Sequence, residues 1–294
     1  MANILKEIWT GEMIKAFREP KENKGWYDRI RSYDQYVDND VIHFTELGGD
    51  PDVLINNTTY PLNIQTLADT DKPVSLDKFD TTATPVTDDE LHAISYDKMA
   101  SVLERHREAI EAKVLEKAIH AIAPDDNTVE SPVLKAEGNI FQPQDILALK
   151  RKFDEWKVPR GGRVLVLCSD HVNDLLRCNE GSMFREQYNI NQTEGRIARL
   201  YGFDIYEYGS TPYYTKTALH EVGLSTAINS ETHRPSSVAF YAGGMMKANG
   251  SVQFYASEAE KDPLYHRNLV NFRKWGICLP LKSGKTRVAI ICND

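Results

Sequence analysis

Cysteine is scarce in this sequence, and the few cysteines present are far apart. The 294 residues include four of them, Cys168, Cys178, Cys278 and Cys292. None belongs to a CxxC pair, and their density is far below that of a domain held together by disulfides. We therefore expect buried free thiols in a protein that works in a reducing compartment.

Basic residues are also few relative to acidic ones. The chain has 35 Lys and Arg against 43 Asp and Glu, giving a formal net charge of -8. A dedicated nucleic-acid binder needs a basic face, so this balance argues against one. No apolar run reaches the roughly 18 residues that span a membrane, and the N-terminus has no secretory cleavage pattern. The sequence therefore predicts neither a membrane span nor a signal peptide.

Motifs for phosphate binding or nucleophilic catalysis are incomplete. Residues 283–286 read SGKT, but a phosphate loop requires glycine where Leu279 stands, so a turn between two strands is expected. Residues 168–171 read CSDH after a buried strand, without a GxSxG elbow. We interpret them as a core Cys168, a helix-capping Ser169 or Asp170, and an exposed His171.

Metal-binding patterns are lacking as well. The eight histidines contain no HxH, HExxH or i,i+4 pair. His106 and His120 are on one predicted helix but fourteen residues apart, too far to share a metal ion. Arg196 and Arg199, on a predicted helix end, suggest a solvated face or a subunit contact. The sequence thus predicts no catalytic, cofactor-binding or metal-binding residue, and we expect the protein not to be an enzyme.

One long helix is the most strongly patterned element that is present. Residues 95–122 contain no glycine or proline, and Pro124 ends the pattern. At 1.5 Å per residue the helix would be about 40 Å long, a strut for the flanking segments. Its apolar stripe recurs at three- and four-residue steps. The stripe comprises Met99, Val102, Leu103, Ile110, Val114, Ala118, Ile119 and Ile122.

The N-terminal segment reads as an arm. It begins with a short amphipathic helix over residues 4–17, followed by a charged stretch rich in aromatic residues. Such a segment either wraps over its own domain or lies on a neighbour. The aromatic residues are Trp26, Tyr27, Tyr33 and Tyr36.

The next segment is polar and strand-like. Strand candidates fall at 41–47, 61–67 and 73–81, and the second alternates Leu62 and Ile64 with polar residues. The apolar content is too low for a separate core. An isolated hairpin of this kind is marginal in water, so we expect it to find its partner elsewhere.

The remainder predicts an α+β fold. Residues 142–235 should form a compact α/β subdomain, while 236–294 should be mostly strands on which the long helix packs. The subdomain is expected to contain helices over 143–156, from 169, and within 183–190, strands over 163–168 and 203–209, and a helix end before Gly202. The closing strands are expected at 236–242, 251–258 and 267–291, with a short helical piece at 243–250.

The chain contains, in this order, the stretches TPVTDDELHAISYDKM, PRGGRVLVLCSDHVNDLLR, GRIARLYGFDIYEYGSTP and VAFYAGGMMKANGSVQFYASE. Together these four stretches resemble the major capsid proteins of tailed bacteriophages, which have the Hong Kong 97-like fold. TPVTDDELHAISYDKM resembles the junction between that family's extended loop and spine helix. PRGGRVLVLCSDHVNDLLR and GRIARLYGFDIYEYGSTP are similar to its axial-domain units. VAFYAGGMMKANGSVQFYASE resembles its closing peripheral strands. The order of the parts carries the likeness.

The resemblance implies a division of the chain. Residues 1–45 would be an N-terminal arm and 46–85 an extended loop. The peripheral domain would comprise 86–141 and 236–294, with a spine helix at 95–122 packed on its β-sheet. Residues 142–235 would be the axial α/β domain.

The resemblance also implies a function. The chain would be the structural subunit of an icosahedral phage or prophage head, assembling into pentamers and hexamers through arm, loop and axial domain. The head would enclose double-stranded DNA, touched only non-specifically. Synthesis would occur in the bacterial host cytoplasm, and the mature location would be the virion.

Two features of the family's namesake are not matched. That protein carries a fused scaffolding region before the arm, whereas here the arm residues follow Met1, so a separate scaffolding protein and a portal are expected. The namesake also crosslinks a loop lysine to an asparagine of a neighbour. Lys72 and Lys78 are in the loop and Asn268 and Asn271 in the closing strands, but nothing in the sequence pairs them, and no crosslink is expected.

Two other functions remain open. An encapsulin-type nanocompartment shell protein has the same fold, and would be distinguished by an enzyme cargo. A small α/β hydrolase or nucleotide-dependent enzyme built on 142–235 would need a pocket with convergent titratable groups, which the sequence does not supply.

Overall fold

The computed structural model describes most of the chain. The described residues are 24–37, 41–46, 51–62, 64–65, 70–87, 98–136, 138, 140–178, 190–191, 196–197, 199–258, 260, 264–281 and 287–293. The predicted helix over 4–17, the helical turn within 183–190 and the turn at 283–286 lie outside these ranges, except that Ile190 begins a strand.

The described residues form four α-helices and seventeen strands. The helices are α1 (Gly25–Asp28), α2 (Lys98–Ile122), α3 (Pro143–Glu155) and α4 (Ser169–Cys178). The first nine strands are β1 (Arg31–Ser32), β2 (Val41–Glu46), β3 (Thr70–Ser75), β4 (Asp77–Asp80), β5 (Thr84–Thr87), β6 (Val133–Lys135), β7 (Arg163–Leu167), β8 (Ile190–Asn191) and β9 (Arg196–Ile197). The others are β10 (Arg199–Leu200), β11 (Phe203–Glu207), β12 (Tyr213–Thr215), β13 (Glu221–Val222), β14 (His233–Tyr241), β15 (Met245–Ser257), β16 (Arg267–Pro280) and β17 (Val288–Cys292). The predicted α+β class is confirmed.

The long helix α2 buries most of the predicted stripe, while Met99 and Leu103 are half-buried. Residues 98–122 are helical, and residues 95–97 lie outside the description. Near its start, Met99 and Val102 pack with Val86 of β5 and Val270 of β16. Near its end, Ala118, Ile119 and Ile122 enter the largest core, together with residues of the eight-stranded sheet. The helix therefore lies against both large sheets, because its apolar stripe extends along its whole length.

A five-stranded sheet contains the longest strands. Its order is β1-β15-β16-β4, and β5 also pairs with β16. β15 and β16 are antiparallel, with a register shift between Asn249 and Val252. The short parallel strand β1 touches β15 only at Met246 and Lys247.

An eight-stranded mixed sheet has a core on each face. Its order is β10-β11-β7-β14-β12-β13, with β17 joining β14 to β6. Since side chains alternate along a strand, Val164 and Val166 of β7 face the end of α2, whereas Leu165 and Leu167 face α3 and α4. The capping box between Gln142 and Asp145 starts α3 where predicted.

The sheets do not follow the predicted boundary at residue 235. β14 and β17, which the sequence placed with the closing peripheral strands, hydrogen-bond into the sheet that contains β7 and β11. Val238, Ala239 and Phe240 are all buried, as expected of a strand covered on both faces. An uninterrupted apolar run does not show which of two sheets a strand joins.

The described part of the N-terminal segment folds onto its own chain. Trp26 is fully buried, with edge-to-face contacts to Tyr208 at 5.7 Å and Phe240 at 6.3 Å between ring centroids. The Tyr33 N–H donates to the Lys247 carbonyl at 2.8 Å. Of the two placements that the sequence left open for residues 24–37, the structure shows the first, wrapping over the same chain.

The β2–β3 hairpin forms, but its expected middle strand does not. β2 pairs with β3 from Val41–Ser75 to Glu46–Thr70, and Ile42 packs with Leu76, Met246 and Ala248. Residues 61, 62, 64 and 65 are not in a strand, so the strand predicted over 61–67 is wrong for the described residues. Alternation alone does not make a strand without a neighbour that supplies the hydrogen bonds.

Two predicted helical pieces are strands instead. Tyr201 and Gly202 have φ of 47° and 89° and link β10 to β11, so a two-residue turn stands where a helix end was expected. After a 3-10 turn at Ala242–Gly244, residues from Met245 onward form β15. Met246 and Ala248 reach the core with a period of two, which overrides the helical preference of small residues.

Candidate functional site

The cluster at the end of β7 contains the side chains that are best suited to catalysis. His171 is fully buried, so the predicted exposure of this histidine is wrong, whereas Cys168 is buried as expected. The His171 Nδ1 lies 2.6 Å from the Ser237 hydroxyl, which also accepts from the Cys168 N–H at 3.1 Å. The histidine therefore turns inward from the first turn of α4 toward β14.

The protonation states of this cluster are those of a structural network. Nε2 of His171 lies 3.0 Å from the amide oxygen of Asn293 and so carries the proton, leaving Nδ1 to accept from Ser237. Burial lowers the pKa of His171 to about 4 and raises the pKa of Cys168 to about 11. The Phe141 ring stacks on the imidazole at 4.5 Å. At neutral pH thiol and imidazole are both uncharged, so the cluster fastens α4, β14 and the C-terminal residues without generating a nucleophile.

An open groove of about 690 Å³ runs along α2 beside the β4–β5 connection. Three of its four cationic side chains pair with nearby carboxylates: Lys117 with Asp77 at 2.7 Å, Lys78 with Asp80 at 3.3 Å, and Lys113 with Glu116. His106 in its wall bonds Thr84 through Nε2 at 2.9 Å, and burial lowers the pKa of this histidine. Most of the cationic charge in the groove is therefore paired, and Arg105 is the lining cation outside these pairs.

The histidines of α2 contact different strands. His106 meets β5, whereas Nδ1 of His120 lies 2.6 Å from a Glu221 carboxylate oxygen in β13, and the pair is nearly buried. His220, the residue before Glu221, forms an ion pair with Asp126. Among the described residues no group of three or more His, Cys, Asp or Glu side chains is arranged to hold a metal ion.

The structure places three of the four cysteines, and two of the residues that were compared with the family's lysine–asparagine crosslink. Cys168, Cys278 and Cys292 are buried and free, as expected, while the Cys178 side chain is outside the description. Lys78 is bound to Asp80 and Asn268 donates to the Val86 carbonyl at 3.4 Å.

The structure also shows the surroundings of Asn271 and Arg199, two further residues singled out in the sequence analysis. Asn271 buries an oxygen that has no hydrogen-bond partner. Arg199 pairs across β10 and β11 with Asp204 at 3.5 Å. Nothing is described of the Lys72 and Arg196 side chains.

Two segments of the chain are rich in exposed apolar side chains. The first, the loop patch, lies in residues 51–64, and its most exposed member is Ile64, at 97%. The second, the ribbon patch, lies at the far end of the β15–β16 hairpin. The loop patch consists of Val53, Leu54, Ile55, Tyr60, Leu62 and Ile64, and the ribbon patch of Val252, Phe254, Tyr255, Leu264 and Tyr265. Exposed apolar groups gathered in this way are typical of interaction surfaces.

Comparisons with known proteins give the fold. No protein-family model and no curated protein matches the sequence. A solved structure from Mycobacterium phage Che8 covers 99% of this chain and 98% of its own, at 13% identity and a TM-score of 0.69. The capsid of cyanophage Pam1 matches over 100% and 99%, at 12% and 0.67. The head of Helicobacter pylori bacteriophage KHP40 matches over 99% and 97%, at 12% and 0.67. The chain therefore has the fold of these phage proteins over its whole length. Among the helices that the structure describes, none has the length and hydrophobicity of a membrane-spanning segment.

Proposed function

We propose that this protein is the structural subunit of an icosahedral phage head, assembling into pentamers and hexamers around double-stranded DNA. The observation that carries the proposal is the fold shared from end to end with capsid and head proteins. A match to a few elements would be weaker, since unrelated functions often share a substructure.

The parts have roles under this proposal. Residues 1–45 are the arm, 46–85 the extended loop, 86–141 with 236–294 the peripheral domain, and 142–235 the axial domain. α2 is the spine, and β14 and β17 bind the axial and peripheral parts together because they lie in the sheet of β7. Support comes from the loop patch, which is apolar and exposed in the single chain, as is expected of a surface that becomes buried between copies.

The role we propose is structural, not enzymatic. The cluster of this protein that most resembles a catalytic site, His171 with Cys168, is buried, and both groups are uncharged at neutral pH. The exposed apolar surfaces suit contacts between copies, and rings of five or six need heterologous contacts that close.

Scaffolding and portal proteins are proposed as separate partners, and packaged DNA as a non-specific one. A chain of net charge -8 has no general attraction for phosphates, so the genome could move freely along the inner wall. The protein would be made in the bacterial host cytoplasm and reside in the virion.

Electron microscopy of the purified chain, expressed alone and with a co-expressed scaffolding candidate, tests the proposal. We expect rings or closed shells under at least one condition. Monodisperse monomers under both conditions, together with turnover of a small-molecule substrate, would reject it. Shells filled with a specific enzyme in place of DNA would point to a nanocompartment.

A further inference from the structure

The single Asn-Gly dipeptide of the sequence lies at an irregularity of β15. The pairing of β15 with β16 shifts its register between Asn249 and Val252. As a result, Gly250 and Ser251 of β15 both stand opposite Trp275 of β16, which is the arrangement of a β-bulge. The regular ladder is therefore interrupted directly after Asn249.

An asparagine that precedes glycine is chemically labile. The backbone nitrogen of the following residue can attack the side-chain carbonyl carbon, Cγ, and close a five-membered ring. Glycine favours this attack because it has no Cβ to hinder the approach and its backbone is free to rotate. A regular ladder would hold the two groups apart, whereas a bulge disrupts the ladder at this point. Asn249 and Gly250 are both partly exposed, so water reaches them.

The Asn249 side chain helps to fasten the N-terminal segment to β15. Oδ1 of Asp34 accepts from the Asn249 backbone N–H at 2.7 Å and from Nδ2 of Asn249 at 3.3 Å. Beside this contact, the Tyr33 N–H donates to the Lys247 carbonyl at 2.8 Å. A carboxylate at position 249 would remove the side-chain donor and place a second negative charge against Asp34, and two carboxylates in one site repel each other.

We propose that Asn249 is a site of spontaneous deamidation, and that the reaction loosens the hold of β15 on residues 31–37. The Gly250 nitrogen gives its proton to solvent and bonds to Cγ of Asn249, while the Cγ–Nδ2 bond breaks and the nitrogen leaves, with a proton from solvent, as ammonia. Water then opens the resulting succinimide at either of its carbonyl carbons. The product is aspartate or isoaspartate, in which the backbone runs through Cβ and Cγ.

Either product carries one new carboxylate and does not revert to asparagine, so the change accumulates as the protein ages. The proposal concerns the single chain and does not depend on the head function.

Peptide mapping by mass spectrometry tests the site. The full-length chain is kept in mildly alkaline buffer and sampled over time, and Asn249 is compared with Asn229, which precedes Ser230 in an exposed loop. We expect Asn249 to convert at least about tenfold faster, because serine has the Cβ that glycine lacks. Gly250→Ala should slow conversion at position 249 by a similar factor. Equal rates at the two asparagines, or a rate unchanged by Gly250→Ala, would overturn the assignment.

Hydrogen exchange tests the consequence. We compare fresh wild-type chain, aged wild-type chain and Asn249→Asp. The Tyr33 N–H should exchange at least about tenfold faster in the last two, because a hydrogen bond to a charged group is lost and two carboxylates face each other. The Val166 N–H, in the central strand β7, should exchange at the wild-type rate, which shows that the loosening is local.

The matched control is Asn229→Asp, which adds the same charge at a position that makes no contact with Asp34. It should leave exchange at Tyr33 unchanged. Acceleration of the Tyr33 N–H by Asn229→Asp to the same extent, or none in either Asn249→Asp or the aged chain, would show that deamidation at position 249 does not release the segment. If Asn249→Asp unfolded throughout, the aged wild-type chain would still decide between the two results.

Discussion

The Nδ1 of His171 lies 2.6 Å from the Ser237 hydroxyl, with both side chains fully buried. The contact joins the start of α4 to the centre of β14. On the other side of the ring, Nε2 of His171 lies 3.0 Å from the amide oxygen of Asn293, near the C-terminus. A polar network in such a place stabilises the fold only while the imidazole stays neutral, because the desolvation of a buried cation here outweighs the attraction of the nearby Asp174 and Asp170 carboxylates.

Acid should weaken the fold through His171. Its folded pKa, about 4, lies below the 6.5 of a free histidine, so its contribution is complete above pH 6.5 and is lost as pH falls from 6.5 to 4. The loss should be about 3 kcal/mol in the free energy of unfolding. Urea unfolding of the unassembled chain across this range measures it.

The control replaces two histidines separately. His171→Gln removes one titrating group and should reduce the loss of stability between pH 6.5 and 4 by about 3 kcal/mol, whatever its effect at neutral pH. His266→Gln, at an exposed position, should keep the wild-type slope. Equal slopes in all three chains would contradict the assignment.

Trp26→Ala should destabilise the unassembled chain by about 3–5 kcal/mol, because it empties a fully buried site between Tyr208 and Phe240. Tyr36→Ala, 57% exposed in the same segment, should cost less than about 1 kcal/mol. Thermal unfolding in the absence of assembly measures both. A Trp26→Ala chain as stable as wild type would show that this segment packs on a neighbour, not on its own chain.

Arg163→Lys should destabilise the fold by about 1–3 kcal/mol, since a single ammonium cannot replace the guanidinium fork. The buried Arg163 donates to the carbonyls of Val158 at 2.6 Å and Pro159 at 3.1 Å and bonds Asp154 at 2.7 Å. Arg151→Lys, in an exposed pair with Glu155, should change the stability by less than about 0.5 kcal/mol. Chemical denaturation compares them, and equal effects would contradict the assigned role of Arg163.

The local elements that the sequence predicted well are those with a complete local signal. α2 and α3 follow from periodic apolar stripes, and in α3 from a proline and a capping box at the start. β7 follows from an apolar run of strand length between turn signals. Each of these signals lies within the element itself.

The failures depend on distant partners. His171 looked like an exposed cap residue because Ser237 and Asn293, its partners, are 66 and 122 residues away. Residues 245–248 became strand because β16 lies beside them. The described residues 61, 62, 64 and 65 lie outside any strand for the opposite reason, since no strand in the described part of the chain pairs with them. Tertiary context decided all three.

A lysine at position 64 should block assembly and spare the fold. Ile64 is 97% exposed in the single chain, so Ile64→Lys should leave the melting temperature unchanged. Where the loop patch becomes buried between copies, the same lysine would lose its hydration without a counter-charge. We expect the concentration required for assembly to rise at least about tenfold, equivalent to about 1.4 kcal/mol.

Ile64→Val should assemble normally, and Val129→Lys, at an apolar position 93% exposed outside the loop patch, should also assemble. Light scattering against protein concentration gives the threshold for each chain. If Val129→Lys impaired assembly as much as Ile64→Lys, the effect would be one of surface charge and residue 64 would not lie in the contact.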